Sequence, residues 1–287
     1  MAEDGAIHAA TTAIEKTWAI SAVEKTGEGT MVKYSGFEIE AMTEDGFKVS
    51  QNMYELEMLQ RWNITKATEV PNYRINEDDG VPSDPVEPQQ IKQAQAIAGA
   101  LLWLSTRTRP DVSVGVATVC RLATRNPVRA AEIGLALIDC VKGNPGGLFY
   151  TEGVPGNVWG ERSQLKIARN PRLLEVMADI AFGTGTRHRS TQGIATFLGG
   201  CIISWNTSIQ PFVTHSTAES ELVTYCDALN VGRSTETMLC AMLGETPGTS
   251  NIERVIIYGD NVAAIGMHQV QVERRGGRDI CASGRRM

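Results

Sequence analysis

The sequence lacks the features of a membrane-spanning, secreted or disulfide-bonded protein. No apolar run approaches the length of a helix that crosses a bilayer. The N-terminus has no basic segment followed by an apolar one, so we expect neither secretion nor a membrane partner, and an intracellular protein is the expectation. The six cysteines (Cys120, Cys140, Cys201, Cys226, Cys240 and Cys281) contain no Cys-x-x-Cys pair. Reduced thiols are therefore expected, rather than a zinc site or a disulfide framework.

The composition is that of a folded protein whose charge is unevenly distributed. Hydrophobic residues make up 42% and charged residues 21% of the 287 positions, which is typical of one large or two ordinary globular domains. Residues 1–90 carry 7 basic and 17 acidic side chains, whereas residues 91–287 carry 20 basic and 16 acidic ones. The difference suggests two domains, of which the second would meet a phosphate backbone. Ordinary surface variation explains the charge equally well.

The first part of the chain has the pattern of an α+β unit. Apolar residues at helical spacing predict a helix over 5–19. Alternation predicts a strand over 31–40, and Glu44–Gly46 is a turn that leads to a second strand over 47–50. Ser50 is the predicted cap of a helix that runs from 51 to about 62.

A segment rich in proline separates that unit from a group of helices. Residues 71–90 contain Pro71, Pro82, Pro85 and Pro88 among polar residues, which is typical of a linker or an extended loop. Three short helices are then predicted, followed by a strand and a polar connector that contains glycine and proline. The helices cover 91–104, about 111–125, and Asn126–Pro127 to near 142; the strand covers 148–150 and the connector 151–171.

The final section has a mixed α/β pattern. The predicted order is three strands, a long helix, a strand and a short helix that begins at Asn261. This order suits a sheet that is antiparallel at one edge and parallel at its centre. The strands are predicted over 173–182, 193–205, 208–215 and 253–259, and the long helix over 217–244.

Carboxylates stand at the ends of these final elements. Asp179 falls in the first strand, Glu219 and Glu221 open the long helix, and Asp260 ends the last strand. Clustered carboxylates are the usual ligands of hard divalent cations such as Mg²⁺. Two such ions about 3.5–4 Å apart clamp the attacking and leaving oxygens of a phosphodiester. The first hypothesis is therefore metal-dependent cleavage of a nucleic-acid backbone.

Four motifs stand in a fixed order along the chain. They are IAGALLWLSTRTRPDV at 97–112, RSTQG with GG and SW within 189–205, THSTAESE at 214–221 and DNVAAI at 260–265. In order and spacing they resemble the corresponding motifs of copia-type retrotransposon Pol polyproteins. The similarity extends over nearly the whole chain, from about residue 3 to residue 267.

The resemblance implies the end of a reverse transcriptase followed by a ribonuclease H-like domain with a mixed sheet and helices. The polymerase motif Tyr-x-Asp-Asp is absent, and Met1 falls just after its expected place, so we expect no reverse transcriptase activity. The domains implied are a reverse transcriptase C-terminal remnant at 1–70, a linker at 71–90, a helical connection module at 91–150, a connector at 151–172, the ribonuclease H-like domain at 173–267 and a divergent tail at 268–287.

The resemblance also implies a site and its partners. Asp179 matches the aspartate of the first strand, Glu221 the glutamate of the helix, and Asp260 the aspartate that ends the fourth strand. In the family such carboxylates bind two Mg²⁺ (or Mn²⁺) ions around the scissile phosphate of the RNA strand of an RNA–DNA hybrid. Glu219 lies roughly 200° round the helix from Glu221, so we expect it outside the metal site. The implied partners are such a hybrid, or other nucleic acid, and the remainder of the polyprotein.

Two departures from the family pattern support a second hypothesis. The family usually has Asp-Ala-Asp-Trp-Ala where this chain has Met177–Ala181. The family also has a basic, histidine-containing stretch and commonly a fourth carboxylate on a last helix, and residues 268–287 match neither, so Asp279 is not assigned as a ligand. The alternative is therefore a decayed, non-catalytic fragment that binds nucleic acid weakly. Arg187, His188 and Arg189 either contact a backbone phosphate or form a solvated turn.

Overall fold

The computed structural model describes residues 4–19, 30–42, 46–71, 73, 85–151, 172–184, 188–246, 253–261, 263–264 and 281–284. These residues form a mixed α/β structure with two sheets and six α-helices. Most of the predicted linker, connector and tail lies outside them. Within them, no helix is long and apolar enough to cross a membrane.

The first sheet is antiparallel, with the strand order β1-β2-β3-β4. Its strands are β1 (Met31–Tyr34), β2 (Phe37–Ala41), β3 (Gly46–Ser50) and β4 (Leu148–Thr151). The prediction of one strand over 31–40 was wrong, because the chain reverses at Ser35 and Gly36, which both have positive φ angles (49° and 82°). The turn makes β1 and β2 a hairpin of their own.

Two helices belong to the same part of the chain, α1 (Asp4–Glu15) and α2 (Asn52–Arg61). Both were predicted, but Ser50 is not the cap of α2. The carboxylate of Glu38, the second residue of β2, accepts hydrogen bonds from the backbone N–H groups of Asn52 (3.1 Å) and Met53 (2.9 Å). A negative charge at a helix N-terminus satisfies free N–H groups and complements the helix dipole.

The three predicted helices of the middle region are confirmed. They are α3 (Pro88–Ser105), α4 (Ser113–Leu122), which follows a short 3₁₀ turn at Pro110–Val112, and α5 (Pro127–Gly143). Arg109, which is only 2% exposed, donates hydrogen bonds to Glu55 of α2 (3.0 Å) and to Asp111 (2.9 and 2.8 Å). The buried pair Arg109–Glu55 and the exposed Asp111 together connect α2 to the helices that follow.

The second sheet has the strand order β7-β6-β5-β8-β9. The pairs β5–β6 and β6–β7 are antiparallel, whereas β5–β8 and β8–β9 are parallel, as expected from three strands followed by a crossover helix. Its strands are β5 (Leu173–Ala181), β6 (Thr191–Leu198), β7 (Cys201–Ile209), β8 (Glu253–Gly259) and β9 (Cys281–Gly284).

The prediction from the sequence placed one turn of this sheet wrongly and did not include its last strand. The predicted strands 193–205 and 208–215 are wrong in their bounds, because the chain turns at Gly199 and Gly200, with φ angles of 58° and 87°. Two successive positive φ angles make a tight hairpin turn, which glycine adopts without strain. Strand β9 lies in the segment 268–287, which was predicted only as a divergent tail, and it extends the parallel side of the sheet.

Helix α6 (Thr217–Leu243) packs across the second sheet, with the bounds that the sequence predicts to within a residue. It covers buried apolar residues of β5 and β8 such as Val176 and Ile257. The helix lies close to the sheet at Gly232, where an added Cβ would lie 2.6 Å from Cγ1 of Val255 and 3.2 Å from Cγ2 of Val176. The absence of a side chain there sets the distance between helix and sheet.

A small apolar cluster and a hydrogen bond join the second sheet to the rest of the protein. Phe197 and Ile202 of the second sheet are buried with Leu148 of β4. The indole Nε1 of Trp205 in β7 donates a hydrogen bond to the carbonyl oxygen of Ser105 at the end of α3 (2.7 Å). Strands β6 and β7 of the second sheet therefore contact β4 and α3, which come from earlier parts of the chain.

Two glycines inside helices test the packing of α6. We expect Gly232→Ala to lower the free energy of unfolding by about 1–3 kcal/mol, because the methyl group overlaps Val255. Gly99→Ala in α3 is the matched control. Nothing lies within 4 Å of a Cβ there, so alanine should raise the free energy of unfolding by about 0.5–1 kcal/mol. Urea denaturation of both variants measures the two values, and a neutral or stabilising Gly232→Ala would contradict the close contact.

Candidate metal centre

Asp179, Glu221 and Asp260 come from three elements and meet at one edge of the second sheet. Asp179 lies near the end of β5, and Asp260 directly follows β8. Because β5 and β8 are parallel neighbours, their carboxyl ends meet at the same edge, and Glu221 reaches it from the first turns of α6. One carboxylate oxygen from each residue lies within 4.8 Å of the others. Oxygens that bind one divalent cation at about 2.0–2.6 Å are spaced in this range.

Glu221 is the buried member of the cluster. Its side chain is 3% exposed, and its Oε2 atom has no hydrogen-bond partner among the described residues. Burial, together with the negative charges of Asp260 and Asp179, raises the pKa of Glu221 to about 7. Burial and the charge of Asp260 also raise the pKa of Asp179. The protein therefore favours a proton or a cation at this position over three bare carboxylates.

The residues fit a hard divalent cation. All three donors are carboxylate oxygens, which Mg²⁺ and Mn²⁺ prefer over nitrogen or sulfur ligands. A buried carboxylate oxygen without a partner, such as Oε2 of Glu221, is costly unless something satisfies it. Asp179 and Asp260 are exposed, so the cluster is open to solvent on one side.

Glu219 lies outside the cluster, as the helical spacing predicts. Its Oε2 accepts a hydrogen bond from the backbone N–H of His215 (2.7 Å), and its own N–H donates to Oγ of Ser216 (3.1 Å). Ser216 is the N-cap residue of α6, and the two bonds satisfy backbone N–H groups at the start of the helix. The glutamates at 219 and 221 thus have different functions in the same helix.

A buried polar network beside Glu221 was not predicted. Nε2 of Gln210 donates to the carbonyl oxygen of Ser220 (2.9 Å) and to Oγ1 of Thr224 (3.1 Å), and its Oε1 accepts from Oγ of Ser220 (2.7 Å). Gln210, Ser220 and Thr224 are fully buried. The network fixes the first turns of α6 to the end of β7. In the sequence, Gln210 differs from its neighbours only as a polar residue between apolar segments. That signal does not identify its hydrogen-bond partners.

The other sequence-based candidates do not join the cluster or are not described. His188 is exposed and has a positive φ of 57°, and Arg189 is half-buried. Whether they contact a phosphate stays a prediction. Arg187 and Asp279 lie outside the described residues.

Two known proteins are similar to this chain. It is 40% identical over 131 residues to an uncharacterized mitochondrial protein of Arabidopsis thaliana, a match that covers 44% of this chain and 47% of that protein. It is 26% identical over 227 residues to the retrovirus-related Pol polyprotein from transposon RE1 of the same plant, a match that covers 76% of this chain and 14% of the polyprotein. Together the two matches support the resemblance of this chain to copia-type retrotransposon Pol polyproteins.

The matches leave much of both relatives uncovered. The chain matches about half of the mitochondrial protein (47%) and a small part of the polyprotein (14%). No family model matches it, and no solved structure does.

The raised pKa of Glu221 predicts how the stability of the metal-free protein depends on pH. The pKa of Glu221 is about 7 in the folded state and takes the ordinary value of 4.5 in the unfolded chain. Between these pH values the folded state therefore binds more protons than the unfolded state. Stability should therefore fall as pH rises from about 4.5 to 7, by on the order of 3 kcal/mol. Urea denaturation in the presence of a chelator measures this.

Two variants separate Glu221 from the other acidic groups. Glu221→Gln should remove most of the fall, because the amide does not titrate. Glu219→Gln, two residues earlier and outside the cluster, should leave it unchanged. If the free energy of unfolding fell equally with pH in the wild type and in Glu221→Gln, the fall would not come from Glu221.

Proposed function

We propose that residues 173–267 form a ribonuclease H-like domain that hydrolyses the RNA strand of RNA–DNA hybrids with divalent cations. The observation that carries the proposal is the convergence of Asp179, Glu221 and Asp260, whose oxygens lie within 4.8 Å of one another. These are the residues that the resemblance to the family assigns to the metal site. They lie far apart in the sequence, so their meeting depends on the fold.

The topology supports the same function. Within the second sheet β5 is the first strand and β8 the fourth, and α6 connects the third strand to the fourth. Asp179, Glu221 and Asp260 therefore occupy the first strand, the helix and the end of the fourth strand, as in the ribonuclease H family. The similarity to a Pol polyprotein is consistent with such a domain.

The three side chains would act as metal ligands with unequal roles. A divalent cation held by these carboxylates would supply charge neutralisation on the phosphodiester and activation of water. Glu221 loses its proton when a cation binds, so cation affinity should increase with pH up to about 7. Its burial fixes the carboxylate in place, while the exposed Asp179 and Asp260 face the side from which a polyanionic strand can approach.

Binding without cleavage is the second candidate function. Only three carboxylates gather among the described residues, whereas the family commonly has four. With one ligand fewer, a second cation would be held less firmly, and two-metal hydrolysis depends on the positions of both ions. Such a protein would bind a cation and a hybrid but would not cut.

A cleavage assay distinguishes the two functions. The purified full chain is incubated with an RNA–DNA hybrid labelled on its RNA strand, in Mg²⁺ or in Mn²⁺. We expect cleavage that a chelator abolishes and that Asp260→Asn slows by about 100-fold or more, because a lost ligand removes several kcal/mol of charge stabilisation. Glu219→Gln is the control and should cleave at the wild-type rate.

The possible results have separate meanings. Cation binding without cleavage at high protein excess favours the binding function. Cleavage that continues in the chelator, or that Asp260→Asn leaves unchanged, contradicts the proposed site.

A further inference from the structure

The hydroxyl group of Tyr225 contacts one carboxylate of the cluster and the backbone next to another. Tyr225 follows Glu221 by one helical turn, is 2% exposed, and forms a side-chain hydrogen bond with that glutamate. The same hydroxyl oxygen accepts a hydrogen bond from the backbone N–H of Asn261 (3.4 Å), the residue after Asp260. One phenol group therefore joins α6 to the end of β8 at the cluster.

The neighbouring backbone leaves room for this arrangement. A Cβ atom at Gly259, the last residue of β8, would overlap both the hydroxyl group and the ring of Tyr225. Glycine at this position lets the ring lie directly against the strand that carries Asp260. On the C-terminal side of Asp260, the side chain of Asn261 accepts a hydrogen bond from the backbone N–H of Ala264 (3.0 Å). The segment around Asp260 is thus held at both ends.

We propose that Tyr225 is a positioning residue that sets the distance and orientation between Glu221 and Asp260 for cation binding. The inference rests on the cation site of the proposed function. A tyrosine hydroxyl donates one hydrogen bond and can also accept, which allows it to serve a carboxylate and an N–H group together. Groups that hold metal ligands in place typically change metal affinity by about 10- to 100-fold when they are removed.

A purely structural role for Tyr225 is the competing explanation. Its ring is buried with Val176 and Ala228 in the core between α6 and the sheet, and that packing would require an aromatic residue in any case. Tyr225→Phe separates the two explanations, because it keeps the ring and removes only the hydroxyl group.

The test measures cation dependence rather than activity alone. Mn²⁺ binding to the full chain is measured by calorimetry, and hybrid cleavage is measured against Mg²⁺ concentration. For Tyr225→Phe we expect the dissociation constant for Mn²⁺ and the half-saturating Mg²⁺ concentration to rise by about 10- to 100-fold. At saturating Mg²⁺ the rate should recover, and KM for the hybrid should not change. A loss of folded protein would instead lower the rate at every Mg²⁺ concentration.

Tyr258→Phe is the matched control. It also removes a tyrosine hydroxyl from the second sheet, one that donates to Oε1 of the buried Glu175 (2.6 Å), and Tyr258 is not one of the three cluster residues. It should lower stability without moving the Mn²⁺ dissociation constant. Gly259→Ala is a second variant that keeps the Tyr225 hydroxyl but displaces it, and it should give the same rise as Tyr225→Phe.

The outcomes distinguish this inference from the proposed function. Unchanged Mn²⁺ binding in Tyr225→Phe or in Gly259→Ala overturns the role of Tyr225 while leaving the cation site intact. If the wild type binds Mn²⁺ but does not cleave the hybrid, the nuclease function fails and the binding shift still supports Tyr225. If the wild type binds no Mn²⁺, both proposals fall.

Discussion

Electrostatic repulsion among Asp179, Glu221 and Asp260 is the constraint on which the second half of the structure depends. Three carboxylates whose oxygens lie within 4.8 Å of one another oppose folding unless a proton or a cation neutralises them. Packing elsewhere must offset that cost. The absence of a side chain at Gly232 lets α6 lie close to the sheet, and Glu221 reaches the cluster from the first turns of the same helix. Gln210 then fixes the first turns of the helix.

The remaining structure acts as a scaffold for that edge. Rigid strands and a long helix position side chains more accurately than loops do. The indole of Trp205 anchors the second sheet to α3, and Arg109 ties α2 to the helices that follow. The carboxylate of Glu38 caps α2 from within the first sheet. Each of these contacts joins segments that are distant in the sequence.

The periodicity of the sequence was sufficient to predict most helices and strands. It did not predict the contacts between residues that only the fold brings together. Helix α6 and strand β8 were predicted nearly to the residue, because their apolar patterns are regular. The turn at Gly199 was missed because the segments on both sides of it have strand propensity and were predicted as one long strand. The roles of Glu38, Gln210 and Tyr225 depend on partners from other elements, which a local pattern does not show. The three clustered carboxylates were singled out because acidic residues at strand ends and helix starts stand out against apolar surroundings.

Diffraction from crystals of the full chain grown with Mn²⁺ tests the central claim most directly. Anomalous scattering locates manganese independently of any assumption about the ligands. The account predicts a manganese peak within bonding distance of Asp179, Glu221 and Asp260, with Glu219 outside its coordination sphere. No peak at this edge of the second sheet at saturating Mn²⁺, or a peak held by other residues, would contradict it.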